Sequence, residues 1–233
     1  DCVISGGKCD VQKDEREVEM VILEAKDVSY VYKTKQQAVE AVKGFSQSFE
    51  QGKFYAILGR SGSGKSTILN LLGGLADPTT GEVLYQGQSL SELDKTKYRR
   101  EESSFVFQNF NLFPMLTALE NVVYILWLQE VEKSDAIDKA KQALASVGLE
   151  KKYYDRLPRQ LSGGEQQRVA IARSLVSGAN VILADEPTGN LDEKNSKVVF
   201  EILRDLSQSK DITVILATHD LAAKEVADEL IEL

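Results

Sequence analysis

An α/β fold with a mainly parallel core sheet is predicted by three features of the sequence. Short, almost wholly apolar runs recur and end in polar or charged residues. Segments of helical period separate them, and a glycine-rich loop joins one run directly to a helix. Strands buried on both faces read as continuous apolar runs, and in such sheets ligands gather at the carboxyl ends of the strands.

Composition sets the outer bounds. The chain's 233 residues, 42% apolar and 27% charged, suit one large globular domain or two small ones. The longest apolar run, around Val122 to Leu128, is far below the roughly 18 residues that span a bilayer. The first residues are polar and acidic, without the basic-then-apolar order of a signal peptide. A net charge of −8 argues against a broad nucleic-acid-binding surface, so no nucleic acid partner is expected. The only cysteines, Cys2 and Cys9, have no histidine or further cysteine near them. They read as incidental thiols of a reduced, cytosolic compartment.

Residues 1–19 show no periodicity and much charge, and are expected to form a flexible leader before a domain that starts near Met20. Val21 to Tyr32 and Val39 to Phe49 carry β-branched and aromatic residues at strand-like positions. Tyr32 is either an ordinary strand aromatic or a flat platform for a base. Phe54 to Leu58 is an apolar strand that runs into Gly59, Arg60, Ser61, Gly62, Ser63, Gly64, Lys65 and Ser66, and then into a helix through Thr67, Ile68, Leu69, Leu71 and Leu72. This is the G-x-x-x-x-G-K-[ST] pattern in its required strand–loop–helix context. Glycines let backbone N–H groups turn inward on a phosphate chain, and the helix N-terminus adds partial positive charge. Lys65 can reach the β- and γ-phosphates, and the Ser66 hydroxyl can bind Mg²⁺. The loop predicts nucleoside triphosphate binding.

Asp77 to Gly81 signals a turn, followed by a strand in GEVLYQG. Ser103 to Gln108 predicts another strand, and Gln108 at its carboxyl end either touches Mg²⁺ or the attacking water or is a plain loop amide. Thr117 to Gln129 is mostly apolar and predicts a packed helix. Ser134 to Val147 is amphipathic, with Ile137, Ala140, Leu144 and Val147 on one face, Ser134 as N-cap and Gly148 as the stop. In Leu161-Ser162-Gly163-Gly164-Glu165-Gln166-Gln167-Arg168, Ser162 and Glu165 have capping-box spacing. The glycine-rich helix start is also suited to an anion, which makes two such starts in one chain.

Val181 to Ala184 is a buried run ending in Asp185 and Glu186, broken by Pro187. Downstream of a phosphate loop, Asp185 fits a Mg²⁺ role and Glu186 fits a group that orients or deprotonates water. Glu193 to Leu206 predicts a helix. Ile212 to Ala217 is a further buried strand, ending in Thr218, His219 and Asp220. His219, the chain's one histidine, is expected on the same rim as Asp185, where an imidazole can donate to a γ-phosphate oxygen.

The segments GRSGSGKST, Gln108, LSGGEQQR, VILADEP, Leu191-Asp192 and Thr218-His219-Asp220 stand in the order of an ABC transporter nucleotide-binding domain, which the chain resembles from about Val21 onward. They are similar to its Walker A loop, Q-loop, signature motif, Walker B strand, D-loop and switch histidine. The wording ADEPTGNLD, with LNLLGGL and FQNFNLFPMLTALENV, resembles the macrolide-exporter/lipoprotein-release branch. The resemblance implies a P-loop NTPase (RecA-like) core with an antiparallel β subdomain and a helical subdomain inserted at about 109–160. It implies ATP and Mg²⁺, adenine stacking on Tyr32, and a nucleotide-binding role for Asp192 in the D-loop and for Glu165 in the signature motif. It further implies a head-to-tail homodimer in the ATP-bound state, in which Ser162, Gly163 and Gly164 meet the partner's nucleotide. A separate integral membrane permease subunit would place the chain on the cytoplasmic face of the membrane; the leader and the end at Glu232-Leu233 depart from the family's pattern, in which a short C-terminal tail usually follows. The alternative within the family is a soluble ATPase that drives no transport, which the single nucleotide domain and the lack of a long coiled-coil insertion or a basic surface signal disfavour.

Overall fold

The glycine-rich loop leaves an interior strand of a sheet covered on both sides. In the computed structural model, which describes residues 20–33 and 37–233, nine strands form two sheets among the described residues. The leader expected over residues 1–19, with Cys2 and Cys9, lies outside the described residues. The antiparallel sheet contains β1 (Val21–Lys33), β2 (Ala38–Glu50), β4 (Thr80–Tyr85) and the short β5 (Gln88–Ser89), in the order β2-β1-β4-β5. The parallel sheet contains β3 (Phe54–Leu58), β6 (Ser103–Phe107), β7 (Val181–Asp185), β8 (Thr213–Thr218) and β9 (Glu229–Glu232), in the order β6-β7-β8-β3-β9.

Alternation along the central strands divides the core in two. Phe54, Ala56 and Leu58 of β3 face one apolar cluster with Ile182, Ala184, Val214 and Leu216. Tyr55 and Ile57 face the other with Val181, Leu183, Ile215 and Ala217. The middles of these strands, buried on both faces, are therefore wholly apolar, and polar residues stand only at strand ends. The first face is covered by α3 (Ala118–Leu128), α4 (Lys133–Ser146), α5 (Gly163–Val176) and α6 (Glu193–Lys210). The second is covered by α1 (Lys65–Leu72) and the antiparallel sheet. Each large side chain so buried contributes about 1.5–3 kcal/mol. Tyr55 also links the sheets, because its hydroxyl accepts the Glu50 N–H at 2.8 Å, and burial pushes its phenol up to about 12.

Two expectations need correction. Ser134 does not cap α4. The N-cap is Glu132, whose carboxylate accepts the Ser134 N–H at 2.7 Å, so the longer acid reaches into the first turn and the helix starts one residue before Ser134. The buried face of α4 is Ala136, Ala140, Ala143 and Leu144, continued by Val147, with Ile137 only half-buried at its margin. The helix does stop before Gly148, which takes φ +71°. The helix expected to end at Leu206 runs on to Lys210. α2 (Lys95–Glu101) and β9 were not anticipated. In α2 only Tyr98 is buried, so no apolar period marks it, although Asp94 caps it through the Thr96 and Lys97 N–H groups.

Between β6 and α3 the chain makes an exposed loop, with Met115 81% accessible and Phe113 42%. Asn121, fully buried on α3, ties that loop down. Its Oδ1 accepts the Phe113 N–H at 2.8 Å, and its Nδ2 donates to the carbonyls of Phe113, Leu116 and Thr117 at 3.2, 3.0 and 2.9 Å. Leaving those groups unpaired in the interior costs about 1–3 kcal/mol. Asn121→Ala is accordingly expected to lower unfolding free energy by about 2 kcal/mol in urea titration. Amide exchange at Phe113 should accelerate as well, and unchanged stability would contradict the clamp.

Candidate functional site

The carboxyl ends of β3, β7 and β8 lie side by side, with Leu58 opposite Thr218 and Asp185 opposite Ala217. There β7 and β8 deliver the polar side chains of Asp185 and Thr218 to one rim, and β3 runs into the glycine-rich loop. From β3 the chain turns through Gly59 to Gly64 into α1. Gly64 caps that helix in the left-handed region at φ 96°, and a Cβ there would lie 2.3 Å from the Ala41 carbonyl oxygen. Only glycine satisfies both the backbone and the space. Lys65, 5% accessible, folds over the loop and donates to the carbonyls of Gly59 (2.8 Å) and Arg60 (3.1 Å). Its Nζ also lies 3.5 Å from Glu186 Oε1.

Behind the loop, Ser66 Oγ donates to Asp185 Oδ1 at 2.9 Å. Burial lifts the Asp185 carboxyl above its ordinary range; the neighbouring Glu186 charge adds to this, while the Ser66 hydrogen bond and Lys65 oppose it. Glu186 sits just past β7 with φ +46°, its N–H bonded to the Ala217 carbonyl at 2.8 Å. A non-glycine residue in that region is uncommon and costs of the order of 1–3 kcal/mol. The conformation turns its carboxylate onto the end of β8. There Oε2 meets His219 Nδ1 at 2.9 Å and accepts the Thr218 hydroxyl at 3.2 Å. Tyr32 stands on the far side, its hydroxyl 3.2 Å from Thr67 Oγ1 and its ring edge-on to Tyr30 at 4.8 Å.

These groups border one open cleft of about 800 Å³. Tyr32, Arg60, Ser61, Gly62, Gly64, Lys65, Ser66, Thr67, Gln108, Glu186 and His219 line it, together with Val39, Glu40 and Ala41 from the start of β2. Gly59 and Asp185 stand directly behind through their bonds to Lys65 and Ser66, and Ser63 completes the loop. Among the described residues of that lining, Ser162, Gly163, Gly164, Glu165 and Asp192 do not appear. The first four open α5 in a capping box, with Ser162 N–H donating to Glu165 Oε2 at 2.7 Å and Glu165 N–H to Ser162 Oγ at 3.4 Å. Burial raises the Glu165 carboxyl, but the Ser162 bonds outweigh it and hold it below its ordinary value. Asp192 caps α6 through Asn195, whose N–H and amide hold its carboxyl low. Thr218 and Asn190, which bonds Gln108, carried no role in the sequence reading. Thr218 could have been found from its place beside His219 at a strand end, whereas Val39 to Ala41 have no local signal.

A family model described as ABC transporter matches residues 42–189. The chain belongs to the ABC transporter family. It is 45% identical over 218 residues to the uncharacterized ABC transporter ATP-binding protein MJ1508 of Methanocaldococcus jannaschii, covering 91% of this chain and 95% of that protein. It is 40% identical over 214 residues to the uncharacterized ABC transporter ATP-binding protein YclH of Bacillus subtilis, covering 92% and 94%. The solved dimeric structure of the ABC transporter cassette MJ0796 superposes with a TM-score of 0.84 at 39% identity, over 91% of this chain and 94% of that one. A second MJ0796 structure, described as a post-hydrolysis state bound to ADP and Pi, matches equally well. This ABC protein is an ATP-binding, ATP-hydrolysing cassette with the P-loop NTPase fold, and among its described residues no helix is long and apolar enough to cross a membrane.

The half-buried Asp185 carboxyl gives a stability prediction with a definite sign. A carboxyl raised on folding holds its proton more tightly in the native state. Its stability penalty is therefore absent below the ordinary aspartate range and grows as pH rises through the folded value. In EDTA without nucleotide, Asp185→Asn is expected to raise the thermal midpoint at pH 7. The gain should shrink toward zero as pH falls below about 4. A pH-independent difference would show that burial of the charge is not its cause.

Proposed function

We propose that this ABC cassette binds Mg-ATP in the cleft and hydrolyses it after two copies close head to tail, driving a separate integral membrane permease from the cytoplasmic face. The observation that carries the reading is the separation of the two anion-suited helix starts. Gly64 to Thr67 lie on the cleft, and Ser162 to Glu165 lie off it on the same chain. A two-fold arrangement brings the second start of one copy over the cleft of the other, in keeping with the dimeric cassette described for MJ0796. Asp192, capping α6, would lie at that seam.

The residues suit the ligand. Backbone N–H groups of the loop, Lys65 and Arg60 supply positive charge for a triphosphate. Tyr32, 45% accessible at the cleft's edge, offers a ring for a base. Ser66, Asp185 and Gln108 offer hard oxygens of the kind Mg²⁺ takes. Among the described residues no group of three His, Cys, Asp or Glu could hold a metal alone, which fits an ion that keeps waters and phosphate oxygens as ligands. Bound Mg²⁺ would neutralise charge on the phosphate oxygens. Lys65 would leave its loop carbonyls for the phosphates, releasing Glu186 to accept a hydrogen bond from the attacking water. His219, held by that same carboxylate, would donate to the γ-phosphate. The exposed apolar side chains between Gln108 and Leu128, with Phe113, Met115, Trp127 and Leu128 the most accessible, would form the contact with the permease. The macrolide-exporter/lipoprotein-release branch is the transporter class that the sequence wording favours.

Glu186→Gln is expected to lower kcat by about 100-fold or more while retaining ATP and trapping the dimer on size exclusion. Lys65→Ala should lose nucleotide affinity. Hydrolysis at the wild-type rate by Glu186→Gln would remove the water-orienting role. For the transport arm, Glu186→Gln with Mg-ATP is used as bait in detergent-solubilised membranes of the source organism, with Lys65→Ala as control. Nucleotide-dependent recovery of an integral membrane protein supports the permease, and recovery of soluble partners only favours the ATPase that drives no transport.

A further inference from the structure

Gln108 reaches the cleft from an exposed loop, and a glutamine there needs something to hold it. The turn that follows is awkward: Phe110 and Asn111 are both in the left-handed region, at φ +58° and +49°. Side-chain-bearing residues disfavour that region, phenylalanine more than asparagine, so the turn requires support from outside itself. Arg173, in the last turn of α5, supplies it. Its NH1 donates to the Asn111 carbonyl at 2.6 Å and its NH2 to the Phe110 carbonyl at 3.0 Å. Among the described residues no carboxylate pairs with this half-buried guanidinium; the two carbonyls are its hydrogen-bond partners. The rigid two-pronged fork matches two successive carbonyls, which a lysine could engage only one at a time.

The other side of Gln108 is held from the loop after Glu186. Asn190 Nδ2 donates to the Gln108 carbonyl at 3.1 Å and to Asn109 Oδ1 at 3.2 Å, while Gln108 Nε2 donates back to Asn190 Oδ1 at 3.3 Å. The Gln108 side chain also fills the space beside Gly189, where a Cβ would lie 2.7 Å from Nε2. We propose that Arg173 and Asn190 are positioning residues that hold Gln108 at the cleft, one clamping the turn behind it and the other the side chain itself. This rests on the reading of Gln108 as a ligand of Mg²⁺ or the attacking water. It also ties the Gln108 loop to α5, the helix whose first turn holds Ser162 to Glu165.

The test is a set of double-mutant cycles on the full chain, reading steady-state Mg-ATP hydrolysis. Arg173→Met and Asn190→Ala are each expected to lower kcat about 10-fold with KM changed less than about twofold, and Arg173→Lys to recover part of the loss. Combined with Gln108→Ala, neither should lower kcat beyond Gln108→Ala alone. Multiplicative losses, or a rise in KM without a fall in kcat, overturn the positioning role while leaving the role of Gln108 standing. No effect of Gln108→Ala on kcat overturns both. Should Arg173→Met fail to fold, the Asn190 cycle decides, since Asn190 is exposed and its replacement leaves no buried group unpaired.

Discussion

Burial of the parallel sheet on both faces is the constraint from which the site follows. Because the middles of β3, β7 and β8 are apolar on both faces, the polar residues at their carboxyl ends appear together where the strands end. Lys65, the Asp185–Glu186 pair and the Thr218–His219 pair, far apart in sequence, owe their meeting to that shared edge. The strain at Glu186 has the same origin. A chain leaving the end of β7 must bend sharply to keep its carboxylate at the rim, and the left-handed turn accomplishes this in one residue.

The electrostatics of the rim are those of a site built for a highly charged guest. Lys65 is nearly inaccessible and satisfied by carbonyl dipoles and by Glu186, an arrangement that keeps an ammonium in place without locking it into a tight ion pair. Asp185 is desolvated and holds its proton more strongly than a free aspartate. Desolvation of the Asp185 carboxylate carries a cost in the folded protein, which is how function and stability come to oppose one another here.

Much of this could be read from the chain alone, and the exceptions have physical reasons. The phosphate loop, Asp185, Glu186 and His219 were legible because each follows an apolar strand run, and Ser162 and Glu165 because a capping box has fixed spacing. α2 was missed because a surface helix with one buried residue, Tyr98, has no apolar period. The cap of α4 was misplaced because Glu132 and Ser134 can both serve a first turn, and only the fold decides which reaches it. Asn190, Asn121 and Arg173 were silent for a different reason: their partners are backbone groups or residues brought near by the fold, and no local pattern records such contacts.

The loop tied down by Asn121 has a thermodynamic consequence for encounters at the protein surface. A protruding Phe113-Pro114-Met115 segment on a slack loop would have to surrender its conformational freedom each time another molecule landed on it. With one buried amide bonding both ends of the loop, that freedom is already gone when the chain folds. A molecule that landed on Met115 would therefore meet backbone already ordered, and the ordering cost of the encounter would be the smaller for it.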